Sequence, residues 1–131
     1  MIKNEDLMNF EDKKKEIIKH AQDIVKTHCL DDPRNAITDT QLRGLLNKAN
    51  STKCIEEIAL YIRYQMGKDR YKWEKVGRAI LEQMEESKGI LTGSIYSDND
   101  YRLYALRYFF GCLIRYRIYS KILPPGQSKR N

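Results

Sequence analysis

The chain has 131 residues, of which 41% are hydrophobic and 32% charged, enough apolar side chains for one core and too few residues for two domains of ordinary size. Its formal charge of +6 collects at one end: residues 101–131 carry seven Lys/Arg and no Asp/Glu, whereas residues 1–30 balance six against six and residues 31–100 hold eleven against twelve. No apolar run nears the ~20 residues of a membrane span, and the opening MIKNEDLMNFEDKKK has neither an apolar h-region nor a small-residue cleavage site, so neither a span nor a secretion signal is expected.

Apolar residues recur at helical spacing and nowhere alternate with period two for long, which predicts an all-α fold, a compact bundle of about five helices. Leu7, Phe10, Ile17, Ala21, Ile24 and Cys29, joined by Ile18 and Val25, form the stripe of a first helix over 4–29. Asp31, Asp32 and Pro33 stop it, because the residue before a proline is pushed out of the α region. Thr38-Asp39-Thr40-Gln41 has capping-box form and opens a second helix reaching about Asn50, with Leu42, Leu45, Leu46 and Ala49 inward. Ser51 or Thr52 is placed to cap a third, whose stripe of Ile55, Ile58, Ala59, Ile62 and Met66 ends near Gly67. A short basic link is expected next, then a fourth helix on Trp73, Val76, Ile80, Leu81 and Met84, closed by Gly89 after Lys88. The chain around Gly93 and Ser94 reads as loop. Ser97, with Asp98 and Asp100, suits the positive end of a fifth helix running to about Leu123, where Pro124 and Pro125 forbid further winding and leave residues 126–131 as a mobile tail. Short connections and the lack of an internal repeat predict one domain over residues 1–131.

Catalytic groups do not converge in this pattern. His20 and His28 stand eight positions apart, about 80° around a helix, a poor arrangement for joint metal ligation. The neighbouring acids Asp31-Asp32, Glu56-Glu57 and Glu85-Glu86 diverge on a helix instead of sharing a site. Nucleotide-loop, zinc-protease and nucleophile-elbow motifs are missing from the sequence, and the expectation is a protein that is not an enzyme and uses no cofactor or metal. Cys29, Cys54 and Cys112 are odd in number and widely spaced, which predicts reduced, buried small hydrophobes in a cytoplasmic protein.

Segregated positive charge favours an anionic partner such as nucleic acid, the alternative being a solvated helix face laced with salt bridges. Beyond the last quarter, residues 60–78 hold Arg63, Lys68, Arg70, Lys72, Lys75 and Arg78 against Asp69 and Glu74. Arg43 stands beside the inward Leu42 and should face solvent, with Lys48 and Lys53 extending the same edge. On the fifth helix, Leu103, Leu106, Phe109, Phe110, Leu113 and Ile114 form the core stripe. The opposite face carries Tyr104, Arg107, Tyr108, Gly111 and Arg115, a mixture suited to sequence-independent single-strand binding or, equally, to a second helix-packing face with half-buried tyrosines. Arg117 falls on the core side, where it either escapes the core or meets a partner. Phe109 and Phe110 could also expose a patch that pairs two copies of the isolated chain.

At these residues the chain resembles the small subunit of type III-A (Csm) CRISPR effector complexes. The resemblance covers roughly residues 36–120 and rests on Thr38-Asp39-Thr40-Gln41-Leu42-Arg43, on Tyr61-Ile62-Arg63-Tyr64-Gln65-Met66-Gly67-Lys68, and on the Tyr- and Phe-rich helix from Tyr101 to Tyr119. Lys68 stands where the family usually has arginine, which keeps the charge and loses bidentate geometry. The resemblance implies a helical, non-catalytic protein that stacks in several copies along a ribonucleoprotein filament, beside other Csm subunits, and holds the target RNA strand and the guide-target duplex by the backbone. It implies phosphate contacts at Arg43, Arg63 and Lys68. Charge geometry adds Lys48, Lys53, Arg70, Arg78, Arg107 and Arg115 as candidates. The rival expectation is a protein-protein scaffold of such a complex with no direct RNA contact.

Overall fold

The computed structural model describes residues 4–28, 30, 37–85, 90 and 99–122, with side chains from residue 11 onward. The described residues are 86% helical and include no strand: α1 (Asn4–Thr27), α2 (Asp39–Ser51), α3 (Ile55–Lys68), α4 (Arg70–Gln83) and α5 (Asn99–Ser120). The expected all-α bundle is therefore what forms. The expected stop at Asp31 to Pro33, the closure at Gly89, the loop at Gly93, the cap at Ser97 and the tail after Pro124 lie outside the described residues.

Local chemistry fixes several boundaries. Thr38 is extended and its hydroxyl accepts from the Gln41 N–H at 3.1 Å, while the Gln41 side chain accepts from the Thr38 N–H at 2.8 Å, so the capping box at the start of α2 is complete. The cap expected at Ser51 or Thr52 is replaced. Ser51 ends α2 and donates back to the Lys48 carbonyl, Thr52 accepts from the Cys54 N–H, and Cys54 takes the N-cap position of α3 without a side-chain bond to the helix. The basic link expected after Gly67 is also replaced. Asp69 alone separates α3 from α4, its backbone leaving helical geometry at φ −140° and ψ 73°, while its N–H still bonds to Gln65 and its carbonyl to Trp73. One non-helical residue redirects the chain, so Arg70 and Lys72 belong to a helix instead of a loop.

The helices lie in the spatial order α1, α5, α2, α3, α4, each packing mainly on the next. Two close approaches set the spacing: a Cβ on Gly44 would meet the Tyr61 hydroxyl at 2.9 Å across α2 and α3, and one on Gly77 would meet Met66 Cγ at 2.5 Å across α3 and α4. Ile17, Ala21, Ile24 and Val25 of α1, Leu42, Leu45 and Ala49 of α2, Ile55, Ile58 and Ile62 of α3, and Trp73, Val76 and Ile80 of α4 are buried as expected, whereas Ile18 sits at the surface. Because α5 has neighbours on two sides, its burial spreads beyond the predicted stripe to Tyr101, Ala105, Gly111 and Cys112. Phe109 and Phe110 are both in the core, tilted at 50° with centroids 5.7 Å apart. Cys112 is buried and its thiol is pushed up by that burial, but Cys54 is exposed beside the Glu56 carboxylate, a correction to the uniformly buried cysteines expected.

Candidate nucleic-acid interface

The cations named from the sequence divide into those the fold uses internally and those it leaves outward. Arg107 is half-buried and turns toward the end of α2, where its Nε donates to the Ala49 carbonyl at 2.9 Å and its Nη2 to the Thr52 carbonyl at 3.2 Å. It satisfies carbonyls that the helix end leaves without intrahelical partners. Arg117 is 5% exposed; its Nε donates to the Leu30 carbonyl and its Nη1 to the Asp39 carboxylate, which Lys121 also approaches at 3.4 Å. Partial burial pushes the Asp39 carboxyl up, and the charges of Arg117 and Lys121 together outweigh it and hold the group below its ordinary value. Lys48 pairs with Glu57 at 2.9 Å across α2 and α3, and Arg70 and Arg78 share Glu74 at 3.6 and 3.3 Å.

Arg43, Lys53, Arg63, Lys68 and Arg115 are exposed and bonded to no carboxylate among the described residues. Not all of them belong to one track. Arg63 and Lys68 are five residues apart and so point about 140° from each other around α3. Arg63 looks into a crevice of about 220 Å³ with Glu56, Leu81, Glu85 and Arg102 around it. Lys68 lies over the Tyr64 ring, 5.8 Å from its centroid, on the row that includes Glu57 and Tyr61, the residues that meet α2. Lys53 sits at the turn between α2 and α3, where Asn99 donates to its carbonyl at 2.9 Å.

On the α5 side, the predicted opposite face is only partly outward. Tyr104 and Arg115 are exposed, Tyr108 is half-buried, and Gly111 is covered by the Arg115 side chain, 3.3 Å from where its Cβ would stand, instead of by another backbone. α1 supplies what the sequence reading passed over. Lys14, Ile18, Gln22 and Lys26 form an i, i+4 row beside α5. Lys14, also bonded to Glu11, lies 5.4 Å from the Tyr108 centroid, and Lys26 lies 5.9 Å from that of Tyr116. Ile18, Gln22, Tyr116, Cys112, Arg115 and Tyr119 line a mainly apolar groove of about 300 Å³ between these helices. Net charge does not point to Lys14 and Lys26, because the first 30 residues sum to zero; their twelve-residue separation, three steps of an i, i+4 row, was the available signal.

The geometry therefore offers cations set beside tyrosine rings on α3, α5 and α1, with Arg43 outward on α2 within the same run of adjacent helices. Guanidinium and ammonium groups bind phosphate, and the exposed phenol faces of Tyr64 and Tyr104 can stack on bases. No group of three or more metal-binding side chains occurs among the described residues, and no described helix is long and apolar enough to cross a membrane. Comparison with protein-family models, with curated proteins and with solved structures finds no match to this chain.

Proposed function

We propose that this protein is a non-catalytic RNA-binding subunit that grips the sugar-phosphate backbone along the face formed by α3, α2, α5 and α1. Arg43, Lys68 and Arg115 contact phosphates, with Tyr64 and Tyr104 offering ring faces to unpaired bases. The observation that supports this is the recurrence of a cation at a tyrosine on three helices, Lys68 at Tyr64, Lys14 at Tyr108 and Lys26 at Tyr116. Such pairs combine charge with a stacking surface and carry no base-specific code, which fits an RNA held regardless of sequence. Arg63, on the other flank of α3, and Arg107, committed to the end of α2, take no part in this track.

The resemblance in α2, α3 and α5 narrows the proposed setting to a type III-A CRISPR effector complex, with copies of the subunit stacked along the target strand and the guide-target duplex. A single copy neutralising three phosphates binds weakly; neighbouring copies raise the effective concentration and hold the strand together. The test is filter binding of labelled single-stranded RNA over a salt series, for the wild type and for Arg43→Ala/Lys68→Ala/Arg115→Ala. The variant should keep its helical circular dichroism, bind less RNA, and flatten the log-log salt dependence by about 0.7 for each cation removed. Unchanged retention and slope would refute the reading. A protein-docking scaffold is the second reading, favoured by Leu60 at 64% and Ile122 at 78% exposure; it would give no salt-sensitive RNA retention at all.

A further inference from the structure

A second positively charged feature lies away from Arg43, Lys68 and Arg115. The end of α1 and the start of α4 enclose a cleft of about 750 Å³, within the range of roughly 300 to 1,000 Å³ that small-molecule sites occupy. Arg70, Lys72 and Lys75 line it from α4, and Thr27 and His28 from α1. Its apolar part comes from Leu30 and Val76, both buried, and the ring of Tyr71, 79% exposed, stands at its rim. Among the described residues the one acid in the lining, Glu74, is already shared between Arg70 and Arg78, so the described lining carries an excess of positive charge.

This gathering works against the fold that carries it. Arg70 and Lys72 stand in the first turn of α4, which contains no acid, and the partial positive charge of a helix start disfavours cations there. Lys75 lies close enough to His28 that burial first, and the lysine charge second, hold the imidazole below its ordinary pKa. Lys72 and Lys75, which have no carboxylate partner among the described residues, leave positive charge beside His28 that an entering anion of more than one charge would answer. A phosphate monoester carries nearly two negative charges and three terminal oxygens, which match the donors present. The exposed Tyr71 ring extends the site beyond the phosphate toward a ring-bearing group.

We infer that the cleft between α1 and α4 is a binding site for a phosphate monoester, as carried by a mononucleotide or by the phosphorylated end of an RNA chain. The site is independent of the backbone track and shares no residue with it. The full chain is titrated with inorganic phosphate, adenosine monophosphate, and a short oligoribonucleotide bearing either a 5′-phosphate or a 5′-hydroxyl, while NMR follows the His28 ring proton. Saturable shifts are expected with phosphate and the nucleotide, the nucleotide binding tighter. Lys72→Ala/Lys75→Ala should weaken binding at least about tenfold while RNA retention in the filter assay through Arg43, Lys68 and Arg115 stays intact. Helical circular dichroism checks the fold of this variant; both lysines point off α4 toward the cleft, and Lys72→Gln/Lys75→Gln serves as a second test. A nucleotide that outcompetes the phosphorylated oligonucleotide identifies a free ligand, and the reverse identifies an RNA end. Non-saturable shifts with phosphate and the nucleotide, saturable binding that both lysine variants leave unchanged, or saturable binding of the 5′-hydroxyl oligonucleotide as tight as that of the 5′-phosphate form would each overturn the inference.

Discussion

Replacing Arg117 by alanine removes the one charged side chain that the described core contains. The guanidinium bonds to the Leu30 carbonyl and to Asp39, tying the chain after α1 to the first residue of α2 through α5. Taking one partner from a buried ion pair costs about 3–5 kcal/mol, since the other is left uncompensated. The Asp39 side chain is 36% accessible, so water answers part of its charge and the bottom of that range applies, about 3 kcal/mol. For a chain of this size, near 3–4 °C per kcal/mol, the melting temperature should fall by about 10 °C. Asp39→Asn keeps the Leu30 bond but strands the guanidinium, the more buried partner, without its counter-charge, and should likewise cost about 3 kcal/mol. Because the folded-state pKa of Asp39 is depressed, its contribution is fully present above the ordinary carboxylate value and disappears as pH falls through the lowered one. The stability gap between wild type and Asp39→Asn should therefore stay flat from pH 7 to about 5 and close below about 4. Thermal melts by circular dichroism over this pH range measure both quantities. An Arg117→Ala protein melting within about 2 °C of wild type, or a gap that widens in acid, would refute the account.

Arg107→Ala should lower stability by about 1.5–3 kcal/mol in urea unfolding, through the charged hydrogen bonds to Ala49 and Thr52, while leaving RNA retention per folded molecule unchanged. Gly111→Ala should stabilise α5 by roughly 0.5–1 kcal/mol, since the new methyl meets only the end of the exposed Arg115 side chain at 3.3 Å and the helix interior loses a glycine; a fall in melting temperature would contradict this. Thr38→Ala should cost about 1 kcal/mol by opening the capping box of α2, with amide exchange accelerated first in residues 39–42.

Helical class, the capping box and the inward rows of α2, α3 and α4 were readable because periodicity and caps are local properties. The α3–α4 junction was not: a run of Gly67, Lys68, Asp69, Arg70 and Lys72 looks like loop, yet a single residue outside helical geometry is enough to turn the chain. The candidate site was legible in residue type and not in placement. Arg107, Arg115 and Arg117 look alike in the sequence; only the partners brought by the fold, a helix end, open solvent and Asp39, separate them. The helical wheel did mark Arg117 as facing inward, but nothing local to it announced an acid 78 positions away. Lys14 and Lys26 illustrate the converse, since a segment with balanced charge still presents its lysines to the tyrosines of α5.

The helix that packs on both α1 and α2 is also the last of the described helices to be made. Arg117 reaches back 87 residues to Leu30, and α1 finds its principal partner only in α5. During synthesis, α1 must wait with Ile17, Ala21 and Val25 open to water until residues near 120 have emerged. Closing so long a loop before the reward of packing slows the final step. A chain cut upstream of α5 thus lacks the principal packing surface of its first helix and should be left with that helix's apolar row open to water.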